Sequence, residues 1–388
     1  QSQRRAIYAD ALERLAAGGH TYPCYCTRAE LEATRRRQLA AGEPPRYPGT
    51  CRHLDAAARA ERERAGRPAA IRFRVPDAGA VAFDDLVLGR QTTQLHTIGD
   101  FIVARSDATP AFFLANAIDD ALMGITHVLR GEDHLTNTPR QLLLLKALGL
   151  EPPVYGHFGL ILDSDHRPLS KRRGGAMLQE LREAGYRPEA IVNHLARIGF
   201  APASEELLTL TELAQAFTPD RVARGGACHD TAALAHWQRR AVDALDRDSL
   251  WQWIAAHRPV DVPELPVAGP EFAVAVRPNV LYPADAWTWA RRLFDPHAEP
   301  DASARAEIAG AGPQFFRQAL AVDDPLPTVD FRAWARAVGQ VTGAKGRALF
   351  RPLRAALTNA AEGPELATIV PLIPDAVVHA RLAACAAD

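Results

Sequence analysis

The sequence predicts an α/β half followed by an all-α half, and three observations carry that expectation. Between residues 100 and 165, short apolar runs and one well-signalled helix follow in the order strand, loop, helix, strand, the pattern of half a parallel sheet. From Tyr186 to the end helical periodicity takes over, as in "PEAIVNHLARIGF", "AWTWARRLF" and "FRAWARAVGQV". The chain has 388 residues, 47% hydrophobic and 23% charged, enough for about two to four domains with their own cores.

The first element is an amphipathic helix in "QSQRRAIYADALERLAAGG", with Ile7, Ala11 and Leu15 on one face and Gly18-Gly19 as its stop. A proline- and arginine-rich stretch then reads as irregular to about residue 69. "AIRFRVP" alternates like a strand until Pro76, and "DFIVARSD" is another short strand. "GITHVL" reads as a strand that opens into a polar loop. In the helix that follows, Thr138 is placed to N-cap, Pro139 fits the first helical position and Gln141 completes a capping box; Gly149 ends it. "HFGLIL" is a further apolar strand. Proline-rich "HRPVDVPELPVAGPE" (257–271) reads as a linker or boundary. No internal repeat is present.

The totals exclude several classes. A net charge of -1 leaves any nucleic-acid role to local basic faces. No apolar run approaches the roughly 20 residues of a membrane span, and no signal-peptide pattern opens the chain. Cys24, Cys26, Cys51, Cys228 and Cys385 form an odd, clustered set that suits a reducing cytosol better than a disulfide framework. Three of them, with His53, make a C-x-C…C-x-H set in "PCYCT" and "TCRH". Three thiolates and an imidazole fill a tetrahedral zinc shell and leave no open position, so such a site would be structural. The alternative is four unrelated residues in an irregular segment.

Two loops carry candidate chemistry. Arg130, Glu132, Asp133 and His134 follow "THVL", where side chains at the carboxyl end of a parallel strand face a crevice. An arginine fork there can grip a carboxylate, although a solvated turn before a helix gives the same text. "PLSKRRG" (168–174) holds Lys171, one of only three lysines in an arginine-rich chain, beside Ser170 and Arg172. A compact charge on a flexible stem suits a loop that follows a moving phosphate; an exposed basic loop is the plainer account. "LHTIGD" (95–100) resembles a nucleotide signature only loosely and leads into a strand, so it reads as a decoy.

Taken in order, "DFIVARSD", "TPAFFLANAIDDALMGITHVLRGEDHLTNTPRQLLLLKALG", "PLSKRRG" and "GYRPEAIVNHLARIGF" resemble the bacterial glutamyl-tRNA synthetases. "KGRALFRPLRAALTNAAEGPEL" is similar to the distal helices of the same family. The resemblance implies the second half of a class I Rossmann catalytic domain, with a zinc-containing insertion, a helical stem-contact region and an all-helical anticodon-binding region. It implies divisions at 1–110 (acceptor-stem-binding insertion), 111–165 (catalytic half), 166–247 (stem contact) and 248–388 (anticodon binding). The implied reaction activates glutamate with ATP and Mg²⁺, then transfers it to the 3′ end of tRNA(Glu). Lys171, Ser170 and Arg172 would close over the phosphates, and Asp133, His134, Leu160 and Ile161 would border ATP. Phe112, Asn116 and Arg130 would hold glutamate, and Cys24, Cys26, Cys51 and His53 would hold structural Zn²⁺. Arg347, Arg351 and Arg354 recur at helical spacing and suggest a phosphate-facing strip, with Pro352 interrupting the helix. The implied protein is a cytoplasmic monomer with no membrane partner.

This sequence departs from the family pattern in places. Pro168 replaces the first lysine of the usual K-x-S-K-R, Arg173 a frequent histidine, and Phe112 a tyrosine. The first half of the Rossmann fold, with its H-I-G-H-type helix, is not in these residues, so an exposed sheet edge and apolar face are expected. Two other readings remain open: a tRNA-binding relative without chemistry, and a synthetase that glutamylates a modified base of tRNA(Asp). Glutaminyl-tRNA synthetase fits less well, because its anticodon region is a β-barrel.

Overall fold

Helix α1 (Arg5–Ala17) opens the computed structural model, which describes residues 1–388 apart from 164, 170–176, 201, 203, 263 and 388. Its inner face buries Ala11 and Leu15 as the periodicity predicts, with Tyr8 taking the place expected of the half-buried Ile7. The Tyr8 hydroxyl donates to Asp119 at 2.7 Å and Arg4 Nε does so at 2.7 Å, which fastens this end of the chain to α5 (Phe112–Leu122). The chain divides into two compact units. One comprises Gln1–Pro168, Ile198–Ala201 and Phe217–His229; the other comprises Leu169–Arg197, Pro202–Ala216 and Asp230–Asp388.

In the first unit β1 (Thr21–Cys24), β2 (Ala70–Phe73) and β5 (Phe101–Ala104) form an antiparallel sheet. The second sheet has the order β4-β3-β7-β6, from β3 (Ala80–Asp85), β4 (Gly89–Gln94), β6 (His127–Gly131) and β7 (Val154–Phe158). β6, β7 and β3 run parallel, and β4 is antiparallel at one edge. Helices α5 and α6 (Thr138–Leu148) supply Leu114, Ile118, Leu144 and Leu145 to the core of this unit. At the other edge β6 pairs, among the described residues, only with β7. There Leu122, Met123, Ile125, Leu129 and Val154 are exposed, the apolar face that the sequence leads one to expect.

Three expectations change. The stretch to residue 69 is not irregular throughout, because it holds α2 (Arg28–Ala40) and α3 (Ala56–Arg64). Neither helix buries a residue, so no apolar stripe marks them. α2 instead starts on a reciprocal capping box between Thr27 and Glu30. "HFGLIL" is not one strand but β7 and then β8 (Ile161–Leu162), which pairs with β9 (Ala227–Cys228). The break lies at Gly159, where a Cβ would stand 2.3 Å from the Gly225 carbonyl oxygen, so only glycine lets the two backbones cross. The stretch 257–271 is an internal connection of the second unit: Val262 is buried in the core that the flanking helices Arg247–Ala255 and Gly269–Val276 share. Helix α4 (Leu95–Ile98) is one turn followed by β5, in keeping with the decoy reading of "LHTIGD".

The second unit is helical, with Trp287, Trp334, Phe272 and Phe316 fully buried in one core. Helix Arg347–Thr358 runs through Pro352 without ending. The buried ring packs into the unit, and the chain forgoes the donor that would have reached Ala348. Among the described residues no single helix is long and apolar enough to cross a membrane.

Candidate active site

Arg130 and His157 are register partners on the parallel strands β6 and β7, so strand pairing alone sets their side chains side by side. Arg130 Nε donates to His157 Nε2 at 3.2 Å. Its Nη2 donates to Thr138 Oγ1 at 2.8 Å and to Gln141 Oε1 at 2.7 Å. Behind this group, His157 Nδ1 donates to Asp85 Oδ2 at 2.6 Å, with both side chains fully buried. Burial lowers the Arg130 pKa, while Tyr155, Asp120 and Asp133 oppose that shift.

Thr138 and Gln141 do not form the expected capping box. α6 follows directly on a 3₁₀ turn, Glu132–Asn137, so the chain is already helical at its N-cap and no side-chain cap bond is made. Both side chains turn to Arg130 instead, and both are fully buried. Gln141 Nε2 also donates to Asn116 Oδ1, so one glutamine bridges Arg130 and Asn116. Asp120 Oδ2 and Tyr155 Oη are buried beside this network without a hydrogen-bond partner among the described residues. Burial pushes the Asp120 carboxyl above its ordinary value, with Arg130 pulling the other way.

The other expected site residues lie around this centre. Phe112 is half-exposed and its ring is 6.2 Å from that of His134. Asp133 and His134 are partly exposed with 3.8 Å between them, and Asn137 meets His134 Nδ1 at 3.0 Å. The Leu160 N–H donates to Glu132 Oε1 at 3.4 Å, and Ile161 begins β8. Ser170, Lys171 and Arg172 lie outside the described residues.

Cys24, Cys26 and Cys51 come together with all three sulfurs within 4.8 Å of one another. His53 is exposed and not part of that group. The fourth polar atom is the Tyr47 hydroxyl, 3.5 Å from Cys24 Sγ and 3.7 Å from Cys26 Sγ; it also accepts the Cys51 N–H at 2.7 Å. Zinc–sulfur bonds of about 2.3 Å in a tetrahedron put sulfurs roughly 3.8 Å apart. The 3.7 Å between Cys26 and Cys51 fits such an ion. Sequence spacing carries no signal for Tyr47, because a phenol is not an ordinary zinc donor.

A cleft of about 890 Å³ borders this cluster. Tyr47, Arg35, Arg46 and Arg72 line it on one side, with Phe112, Arg105 and Arg140 among its other walls. Five arginines face one acid, Asp100. Arg351 and Arg354 are tied within the second unit, to Glu307 at 2.8 Å and to the Pro364 carbonyl at 2.7 Å, while Arg347 is exposed.

Residues 1–236 match the family model described as tRNA synthetases class I (E and Q), catalytic domain. The chain is 50% identical over 386 residues to "Glutamate--tRNA ligase 2" of Nitrosococcus oceani, covering 99% of this chain and 81% of that protein. It is 47% identical over 389 residues to the protein of the same name from Acidithiobacillus ferrooxidans, covering 100% and 79%. In fold it matches the solved glutamate-tRNA synthetase of Elizabethkingia anophelis with a TM-score of 0.86 at 22% identity, covering 100% of this chain and 83% of that one.

Proposed function

Since the chain belongs to the glutamate–tRNA ligases, class I synthetases of the glutamate and glutamine branch, we propose that Arg130 is the group that selects its amino acid. The reaction of such an enzyme has two steps. A carboxylate oxygen of glutamate attacks the α-phosphorus of ATP, giving glutamyl-adenylate and pyrophosphate. A terminal ribose hydroxyl of tRNA(Glu) then attacks the adenylate carbonyl; the ester forms, the hydroxyl proton is lost and AMP leaves. Neither step needs a protein nucleophile, so binding, orientation and charge stabilisation are the protein's part.

The observation that carries this reading is the fixed guanidinium of Arg130. Nε and Nη2 are committed to His157, Thr138 and Gln141, while Nη1 has no acceptor among the described residues. A rigid guanidinium with the two N–H groups of Nη1 left free recognises a carboxylate oxygen at small entropic cost. Asn116, tied to the same glutamine, and Phe112 are assigned to the glutamate pocket. Asp133, His134, Leu160 and Ile161 border ATP, whose phosphates class I synthetases handle with Mg²⁺; Lys171, Ser170 and Arg172 steady them. Residues 1–110 contact the acceptor arm, which the arginine cleft supports; 166–247 make stem contacts and 248–388 bind the anticodon. Cys24, Cys26 and Cys51, with Tyr47 as fourth ligand, hold a structural zinc that staples a region otherwise poor in apolar contacts.

The test is charging of tRNA(Glu) with labelled glutamate and ATP by the full-length enzyme. Glutamate is esterified and glutamine is not, and Arg130→Ala raises KM for glutamate about 10–100-fold while KM for ATP stays put. Unchanged glutamate KM in that variant would remove Arg130 from the role.

A further inference from the structure

Behind Arg130 lies a pair of groups that no substrate can touch. Asp85 ends β3 and His157 sits on β7; both side chains are fully buried and joined at 2.6 Å. We infer that Asp85 and His157 are positioning residues for amino-acid binding, setting the tautomer that lets His157 accept the Nε–H of Arg130. The inference rests on the reading of Arg130 as the glutamate-binding group.

The hydrogen bonds determine the proton's place. Asp85 Oδ1 accepts the N–H groups of Val87, Leu88 and His157 at 3.0, 2.9 and 3.1 Å, so that oxygen is occupied by backbone. Asp85 Oδ2 is left to face His157 Nδ1, which must carry a proton to donate to it. Nε2 is then a bare lone pair. It receives the Arg130 Nε–H at 3.2 Å and the Thr138 hydroxyl proton at 3.1 Å. Thr138 is free to donate there because its oxygen accepts from Arg130 Nη2. With the other tautomer, N–H would confront N–H, and the guanidinium would lose one of the three contacts that fix its plane. Tyr155 and His157 stack with centroids 6.3 Å apart, and Phe83 meets both edge-on, so the imidazole has no room to turn away.

Substitution separates this role from mere support of the fold. In Asp85→Asn the side-chain oxygen stays with the three backbone donors, so the new amide N–H faces His157 Nδ1. The imidazole proton must then move to Nε2, toward Arg130. His157→Asn keeps a donor near Asp85 but offers Arg130 nothing. His157→Gln places an amide oxygen near the Nε2 position and serves as the conservative rescue. In the full-length enzyme, Asp85→Asn and His157→Asn are expected to raise KM for glutamate about 10–100-fold with KM for ATP unchanged. His157→Gln should return glutamate KM to within about threefold of the parent, even where its melting temperature falls. ¹⁵N NMR of the imidazole should find Nδ1–H in the parent and Nε2–H in Asp85→Asn.

Arg130→Lys provides the control. If it leaves glutamate KM unchanged, the reading of Arg130 fails, whatever the pair does. If it raises KM while folded His157→Asn and Asp85→Asn do not, the pair is structural only and the inference is overturned. Nε2–H in the parent protein overturns it without any variant.

Discussion

The Asp85 carboxylate takes four hydrogen bonds in a site closed to water, from Val87, Leu88 and both nitrogen donors of His157. Burial by itself would raise its pKa; the donors outweigh burial and hold it below the ordinary carboxylate value. In the unfolded chain the group titrates near pH 4, above its folded value, so on acidification protons bind the unfolded state first. Its contribution to stability is therefore full above about pH 5 and drains away as pH falls through the lower folded pKa. His157 faces the carboxylate from the neighbouring strand, and Arg130 stands beyond it on the next one, against His157 Nε2. Urea midpoints measured from pH 2.5 to 7 should stay level above about pH 5 and drop below about pH 4, and Asp85→Asn should flatten part of that drop. An identical acid-side slope in the variant would exclude Asp85 as a source. The cysteine cluster gives a second test on single residues. Purified protein is expected to hold about one zinc per chain, retained in His53→Ala and lost in Cys51→Ala. Tyr47→Phe should release zinc to a chelator more readily than the parent. Loss of zinc in His53→Ala, with Tyr47→Phe unaffected, would restore the histidine as ligand.

Among the elements, α6 shows why a correct local pattern can mislead. Thr138, Pro139 and Gln141 are what a helix start calls for, and the helix does begin at Thr138, yet the two polar side chains serve Arg130 instead. The sequence carries the element, while the use of its side chains depends on Arg130 of β6, 8 and 11 residues back in the chain. The same division runs through the fold. β2, β5, β6 and β7 are legible because apolar side chains mark them. The β3–β4 hairpin escapes notice because "GRQTTQ" has no apolar alternation, and Asp85 escapes with it. Arg130 and Asn116 are recognisable from motif, but their link through Gln141 is tertiary. Arg381 is another side chain whose task appears only in three dimensions. Nearly buried, it donates to the carbonyls of Leu357, Arg292 and Asp295, at the ends of the helices Arg347–Thr358 and Pro283–Phe294. Helix C-termini leave carbonyls without intrahelical donors, and here Arg381 reaches both ends, sharing the Arg292 carbonyl with Asn359 Nδ2 and the Asp295 carbonyl with the Ala298 N–H. Burial lowers its pKa to about 10 all the same. Arg381→Met keeps most of the apolar stem and removes the donors, and should cost about 2–4 kcal/mol in urea unfolding of the second unit. A loss below about 0.5 kcal/mol would mean that water replaces the guanidinium.

At the largest scale the governing fact is that these 388 residues carry a net charge of -1 against a partner that is a polyanion. Overall attraction cannot draw tRNA in, so binding must come from places where positive charge is gathered and unspent. The arginines of helix Arg347–Thr358, which stand out in the sequence, are largely spent: Arg351 pairs with Glu307 and Arg354 is half-buried on a backbone carbonyl. The cleft in the first unit differs. Arg35, Arg46 and Arg105 line it with exposed side chains that form no ion pair among the described residues. Arg46 meets only the His96 carbonyl, Arg105 only Thr109 and the Pro110 carbonyl, and Asp100, the acid on the wall, is held by Arg52 at 2.5 Å. Each exposed arginine that meets a phosphate releases counterions and adds about 0.7–0.9 to the slope of log affinity against log salt. Filter binding of tRNA(Glu) to the full-length enzyme at salt concentrations from 50 to 300 mM should therefore give a steep slope. Arg35→Ala and Arg105→Ala should each reduce it by about 0.7–0.9, whereas Arg354→Ala lowers the melting temperature and changes the slope less. If the cleft variants leave the slope intact while Arg347→Ala reduces it, phosphate recognition belongs to the helical unit. The cleft would then be a by-product of how α2 packs beside Tyr47.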